Sequence, residues 1–189
     1  MTAAAARPYA LLARNNAWAN RVLLDPCARL SAEDWAAEWT GFFPSIRETL
    51  HHLHAVDLYY LDALEEGGLG AAAFRDAPRD LAAADLARAQ AALDARLVAF
   101  CDGLDAAALV RSVTTERGAK GRPRERVDHL LLHLFQHAIH HRGQAHAMLS
   151  GTPVAPPQLD EFFLDFDRHP LAAEAMAPAP PAADDAGPA

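Results

Sequence analysis

Apolar residues return every three or four positions through four long stretches of this chain, and glycine or proline punctuates the segments between them. That period belongs to the amphipathic helix, not to the alternating strand. The first stretch runs from Tyr9 to Leu30, with Leu11, Leu12, Trp18, Val22 and Leu23 on its apolar positions and Pro26 near its end. The second opens at Ser45-Ile46-Arg47-Glu48, where serine and glutamate form a capping box directly after Pro44. It carries Ile46, Leu50, Leu53, Leu61 and Leu64 and stops at Gly67-Gly68. The third covers Asp80 to Asp102, closed by Gly103, and the fourth follows Pro123 and runs through Leu149 to Gly151 and Pro153. Alanine and leucine dominate while β-branched residues are sparse, which also favours helix. The expectation is an all-α four-helix bundle.

The connections are longer than minimal turns. Ser31 starts a short helical turn, and Glu38 to Pro44 is a loop whose Trp39, Phe42 and Phe43 are expected to pack on a neighbouring helix or another subunit. Gly68 to Arg79 reads as a loop, and Val110 to Pro123 as a loop or short β-ribbon. Residues 154–170 form an extension whose Leu159, Phe162, Phe163, Leu164 and Phe166 are expected to pack back on the bundle. From Leu171 the chain is mostly alanine, proline and aspartate, the composition of a disordered tail, so the domain is placed over 8–170 and the tail over 171–189. Asn15, Asn16 and Asn20 are unusual inside a helix and are either exposed or hydrogen-bonded into the core.

A chain of 189 residues is one domain's worth, and 51% apolar content supplies its core. The net charge of −8, with arginines dispersed among acids, argues against nucleic acid and against an anionic membrane surface as partners. No apolar run approaches the roughly 20 residues of a membrane span, and the first residues lack the pattern of a secretory leader. Cys27 and Cys101 form no CxxC, which fits a reducing compartment. A cytoplasmic location is expected.

Nine of the ten histidines fall in two helical stretches. His51, His52 and His54 lie on the second, while His129, His133, His137, His140, His141 and His146 lie on the fourth. Neutral imidazole is the commonest side-chain ligand for zinc, nickel and similar ions. Histidines four apart sit one turn apart on one face, so His137 and His141 can share an ion. A third ligand must then come from the second helix. Periodicity does not choose between His52 and His54, which flank the apolar stripe on opposite sides. Each step of four residues drifts about 40°, which turns His129 to solvent and makes His133 a hydrogen-bonded core residue or a support behind the ligands. His140 is placed on the surface, and His146 in a structural role or at a subunit contact.

At these residues the sequence resembles the DinB/YfiT-like family of metal-dependent proteins, the damage-inducible helical family and not the DNA polymerase that shares the name. Asn15-Asn16-Ala17-Trp18-Ala19-Asn20 is similar to its first helix. Ser45 to Leu53 with Asp57 resembles its first metal motif, Leu134 to Gln144 its second, and Leu159 to Phe163 its closing segment. The resemblance implies a four-helix bundle, commonly a homodimer, with three histidine ligands. Carried over position by position, these fall on His52, His137 and His141. It gives Asp57 a role in accepting a hydrogen bond from a ligand imidazole or another buried donor. A core carboxylate satisfied by an asparagine or arginine of the first helix is the equal alternative. Gln144, one turn past His141, is expected to touch a ligand or a substrate, and Gly143 to permit close helix packing.

Three protein ligands leave a coordination position for water or substrate, the pattern of a catalytic site. By resemblance, the expected activity is thiol-dependent transfer or hydrolysis on a small molecule, using one zinc or nickel ion and a low-molecular-weight thiol. The competing reading is a non-catalytic metal-binding stress or sensor protein. A zincin is disfavoured because HExxH is absent. A di-iron bundle is disfavoured because the fourth helix lacks ExxH.

Overall fold

The computed structural model describes residues 3–177. In chain order its elements are α1 (Ala3–Cys27), α2 (Ala32–Ala36), α3 (Ile46–Glu65), α4 (Ala71–Arg75), α5 (Ala83–Asp102), α6 (Ala106–Val110), β1 (Ser112–Thr114), β2 (Arg124–Arg126), α7 (Val127–Leu149) and α8 (Pro170–Met176). The long helices α1, α3, α5 and α7 make the bundle, with α1 along α5 and α3 along α7 as its closest pairs. No helix among the described residues is long and apolar enough to cross a membrane.

The start of α3 is where its capping box puts it, with Ser45 Oγ accepting from the Glu48 amide at 3.1 Å. Its end is set by Glu66 in the left-handed region, φ 56°, followed by the Gly67 amide donating to Asp62 O at 2.9 Å. The Asp62 carboxylate then accepts from the amides of Leu69 and Gly70 at 3.2 and 2.8 Å. These bonds seat α4, a short helix inside the stretch expected as loop. Pro123 does not start a helix; it precedes β2, which pairs antiparallel with β1 in the register Val113↔Glu125. The β2 strand runs directly into α7.

Three apolar clusters fill the bundle. One joins α3, α5, α7 and β1 through residues such as Leu61, Leu97, Val113 and Leu131. Another gathers Leu23, Trp35, Ile46, Leu86 and Leu149, with Trp39 packed against it. The third seats Phe162 and Ala172 on Trp18, so α8 belongs to the folded domain although its residues from Leu171 were expected as tail. Tail composition misleads there because four apolar positions, Leu171, Ala172, Ala175 and Met176, suffice once Trp18 offers a surface. Residues 178–189 of the expected tail lie outside the described residues. The extension packs through Phe162 and Leu159. Phe163, Leu164 and Phe166 stay exposed, contrary to expectation, and Phe42 is exposed and not packed on a neighbouring helix.

A buried polar network crosses the bundle centre. Asn16 and Asn20 of α1 donate to the Asp94 carboxylate of α5 and accept from the Arg142 guanidinium of α7. Gln90 donates to both Asp94 and Asp57 at 3.1 Å. These asparagines are therefore the core bonders among the three on α1. Burial raises the Asp94 carboxyl to about 6, and burial beside Asp94 pushes Asp57 well above the carboxylate range.

Candidate metal centre

Successive residues of a helix point about 100° apart, and α3 sends its three histidines to three different partners. His51 Nδ1–H donates to Arg47 O at 2.8 Å, and its Nε2 accepts from the Leu81 amide at 3.0 Å. His54 Nδ1–H donates to Gln90 Oε1 at 2.7 Å. His52 alone faces α7, with its Nε2 3.2 Å from His137 Nε2. The tie that periodicity leaves between His52 and His54 is broken by Gln90, on a helix far away in sequence.

His141 completes the group. One ligand atom from each of His52, His137 and His141 lies within 4.8 Å of the others, an arrangement that could hold a metal ion. His141 donates from Nδ1 to Gln144 Oε1 at 2.8 Å, which leaves the lone pair on Nε2. Nitrogens bound tetrahedrally at about 2.0–2.1 Å stand about 3.3 Å apart, close to the observed His52–His137 spacing. The same spacing lets the two Nε2 atoms share a proton as a hydrogen bond or share a cation, and with His141 as third donor the set fits a borderline divalent ion.

Aromatic rings close over the group. Phe43 stacks at 4.5 Å on His52 and 5.6 Å on His141, and Phe74 of α4 meets His52 edge-on at 6.0 Å. The Trp39 amide donates to Pro44 O at 2.7 Å, and the Trp39 ring lies against Gly151 just past α7, which anchors the loop carrying Phe43. Burial, reinforced by His141, lowers His52 to about 4. Burial and the neighbouring imidazoles lower His137 to about 3. Burial also lowers His141, against the hydrogen bond to Gln144. Burial thus favours the neutral form in all three rings, the form a ligand needs.

The DinB family model matches residues 1–170. The chain belongs to the DinB family. It matches no curated protein by sequence.

Within this DinB fold the three side chains expected to support the ligands have different fates. Gln144 holds His141. Asp57 does not touch the triad; its Oδ2 accepts from Gln90, so it is a core carboxylate partnered from α5 and not from the first helix. His133 is neither core nor hydrogen-bonded to a ligand: it is exposed, with its ring on Tyr60 at 5.1 Å and 5.9 Å from that of His137. The drift of the helical ladder carries it to the edge. His129 and His140 are exposed, and His146 Nε2–H ties α7 to the extension through Pro157 O at 2.8 Å. Gly143 is exposed with open space where a Cβ would go, so it serves no close packing among the described residues.

A cavity of about 320 Å³ opens beside the triad, lined by His52 and His137 together with Tyr60, Phe74, Arg117 and His133. A larger one of about 520 Å³ lies between α1 and α5 and does not include the triad. Phe43 was expected to pack on a neighbouring helix but not on the histidines, and Phe74 and Arg117 escaped the sequence reading, because each sits in a connection where no period marks its direction. The one available signal was that these aromatics lie in polar or glycine-rich segments with no stripe of their own to join.

Proposed function

We propose that this DinB protein holds one zinc or nickel ion on His52, His137 and His141 and is a metal-dependent enzyme acting on a small molecule. The reaction class is thiol-dependent transfer or hydrolysis. The observation that carries this reading is the convergence of three imidazoles beside a cavity of small-molecule size. The thiol part rests on the resemblance of the two histidine motifs to the family. When bound, such an ion supplies Lewis acidity and lowers the pKa of a bound water or thiol.

The chain's own residues supply the rest. Gln144 fixes the tautomer and rotation of His141. Phe43 and Phe74 exclude water from the ligand rings and limit how a substrate approaches. No carboxylate joins the three imidazoles in the group among the described residues, so with neutral ligands the ion keeps its full charge for an incoming anion or thiolate.

The test is metal analysis of untagged protein, followed by zinc titration of wild type and His137→Ala during thermal unfolding. One equivalent per chain is expected. Free zinc at one hundred times Kd adds about 2.7 kcal/mol of stability, or roughly 5–11 °C for a domain of this size. His137→Ala loses that shift. Equal zinc responses in the two proteins would refute the reading. Screens of the loaded protein with low-molecular-weight thiols and electrophiles then test for turnover.

A further inference from the structure

The cavity beside the triad runs along α3 and has a cationic group fixed in its wall. Tyr60 lies eight residues beyond His52, about 12 Å at 1.5 Å per residue. Arg117, from the connection between β1 and β2, sits over the Tyr60 ring at 5.3 Å. Its Nε and Nη2 donate to Glu125 Oε2 at 2.9 and 2.6 Å, and its Nη1 donates to the Tyr60 hydroxyl at 2.8 Å. A guanidinium has five N–H groups. Three are used here, which leaves one on each Nη without a partner among the described residues. Glu125 is itself held by Thr115 and by its β-ribbon register opposite Val113, so the fork is fixed in place before any ligand arrives.

Arg117 pairs with Glu125, and Arg122 lies 3.5 Å from Glu116. Arg79, stacked over Phe74 at 5.0 Å, has no carboxylate partner among the described residues. Two charged side chains line the cavity: Glu116, taken up by Arg122 and the Ala71 amide, and Arg117, which alone of the two keeps free N–H donors. Between the two ends the walls are Val56, Tyr60 and Phe74.

We propose that Arg117 is the specificity-determining residue of this centre, and that the cavity takes a compact substrate with an apolar or aromatic body and a carboxylate. The carboxylate meets the two free N–H groups of Arg117, and the reacting end lies at the histidines. A planar fork suits a carboxylate, and the aromatic walls suit a flat body. This rests on the metal reading above, because the triad defines which end of the ligand reacts.

The test uses Co²⁺-loaded protein, whose visible bands report the centre directly. The probes are para-mercaptomethylbenzoate, its neutral amide, and ω-mercaptoalkanoates of graded length with their amides. A sulfur-to-cobalt charge-transfer band shows that the thiol occupies the metal end, which keeps the carboxylate away from the ion. In wild type the acid of best-matched length binds tighter than its amide by about tenfold or more, as one charge-assisted contact allows. In Arg117→Gln the acid falls to the affinity of the amide while the amide is unchanged, and that unchanged value verifies an intact centre. Should Arg117→Gln not fold, Arg117→Lys replaces the fork with a single ammonium, and a preference reduced but not abolished is expected. Equal affinity of acid and amide in wild type would overturn the proposal, as would an undiminished preference in either variant. Absence of Co²⁺ bands before any thiol is added would instead overturn the metal reading.

Discussion

The same substitution at two glycines of one helical region should move stability in opposite directions. At Gly151, just beyond α7, an added Cβ would stand 2.3 and 2.4 Å from Cζ3 and Cη2 of Trp39. Ordinary contact is 3.4–4 Å, so the ring must retreat by more than about 1 Å, and it is packed on a buried cluster that includes Met148 and Leu149. Overpacking of this kind costs about 1–3 kcal/mol. At roughly 2–4 °C per kcal/mol, Gly151→Ala is expected to lower Tm by about 2–12 °C. Gly143, inside α7, has nothing within 4 Å of the same position and a backbone outside the left-handed region. There alanine removes the helix penalty of glycine, and Gly143→Ala should gain about 0.5–1 kcal/mol. Thermal and urea unfolding read both variants, and tryptophan emission reports a Trp39 displaced toward water in Gly151→Ala only. Two variants of equal stability, or a stabilised Gly151→Ala, would refute the claim that Trp39 against Gly151 anchors the loop carrying Phe43.

The buried carboxyls give a pH dependence. Asp57 has a folded pKa raised by burial and by Asp94, so its contribution is full below about pH 4 and is lost as pH rises through the folded value. Asp57→Asn should therefore lose less stability than wild type between pH 4 and neutrality in urea titrations, and parallel curves would contradict the assignment. Gln144→Leu frees the His141 ring and should weaken zinc affinity by about 10–100-fold in a chelator competition. An unchanged affinity would mean that the Gln144 contact does not orient the ligand.

Local rules located what local physics controls. The start of α3 was readable because the Ser45 hydroxyl caps the Glu48 amide within one turn, and the His137–His141 pair because spacing alone sets its geometry. What sequence period could not supply was direction among near-equivalent choices. His52 and His54 differ only through Gln90 of α5, and Asp57 meets its partner across the same gap. His133 shows the opposite failure, in which a regular ladder of histidines suggested a role that the drift of the helix denies. In the extension, Phe162 is buried while Phe163 and Phe166 are exposed, because an irregular segment gives consecutive aromatics no common face. Arg117 and Phe74 depend on how a ribbon and a five-residue helix fold over the bundle, which no window of sequence encodes.

The imidazoles on either side of His52 have a mechanical effect. His51 latches the rotation of α3 to the segment before α5, and His54 latches it to α5 itself. Stripping the cation with a chelator therefore leaves the remaining ring aimed where it was. The apoprotein should keep its circular dichroism and accept an ion at a rate set by encounter instead of by refolding. Loss and recapture of metal would then be quick, reversible events in a molecule whose shape hardly changes.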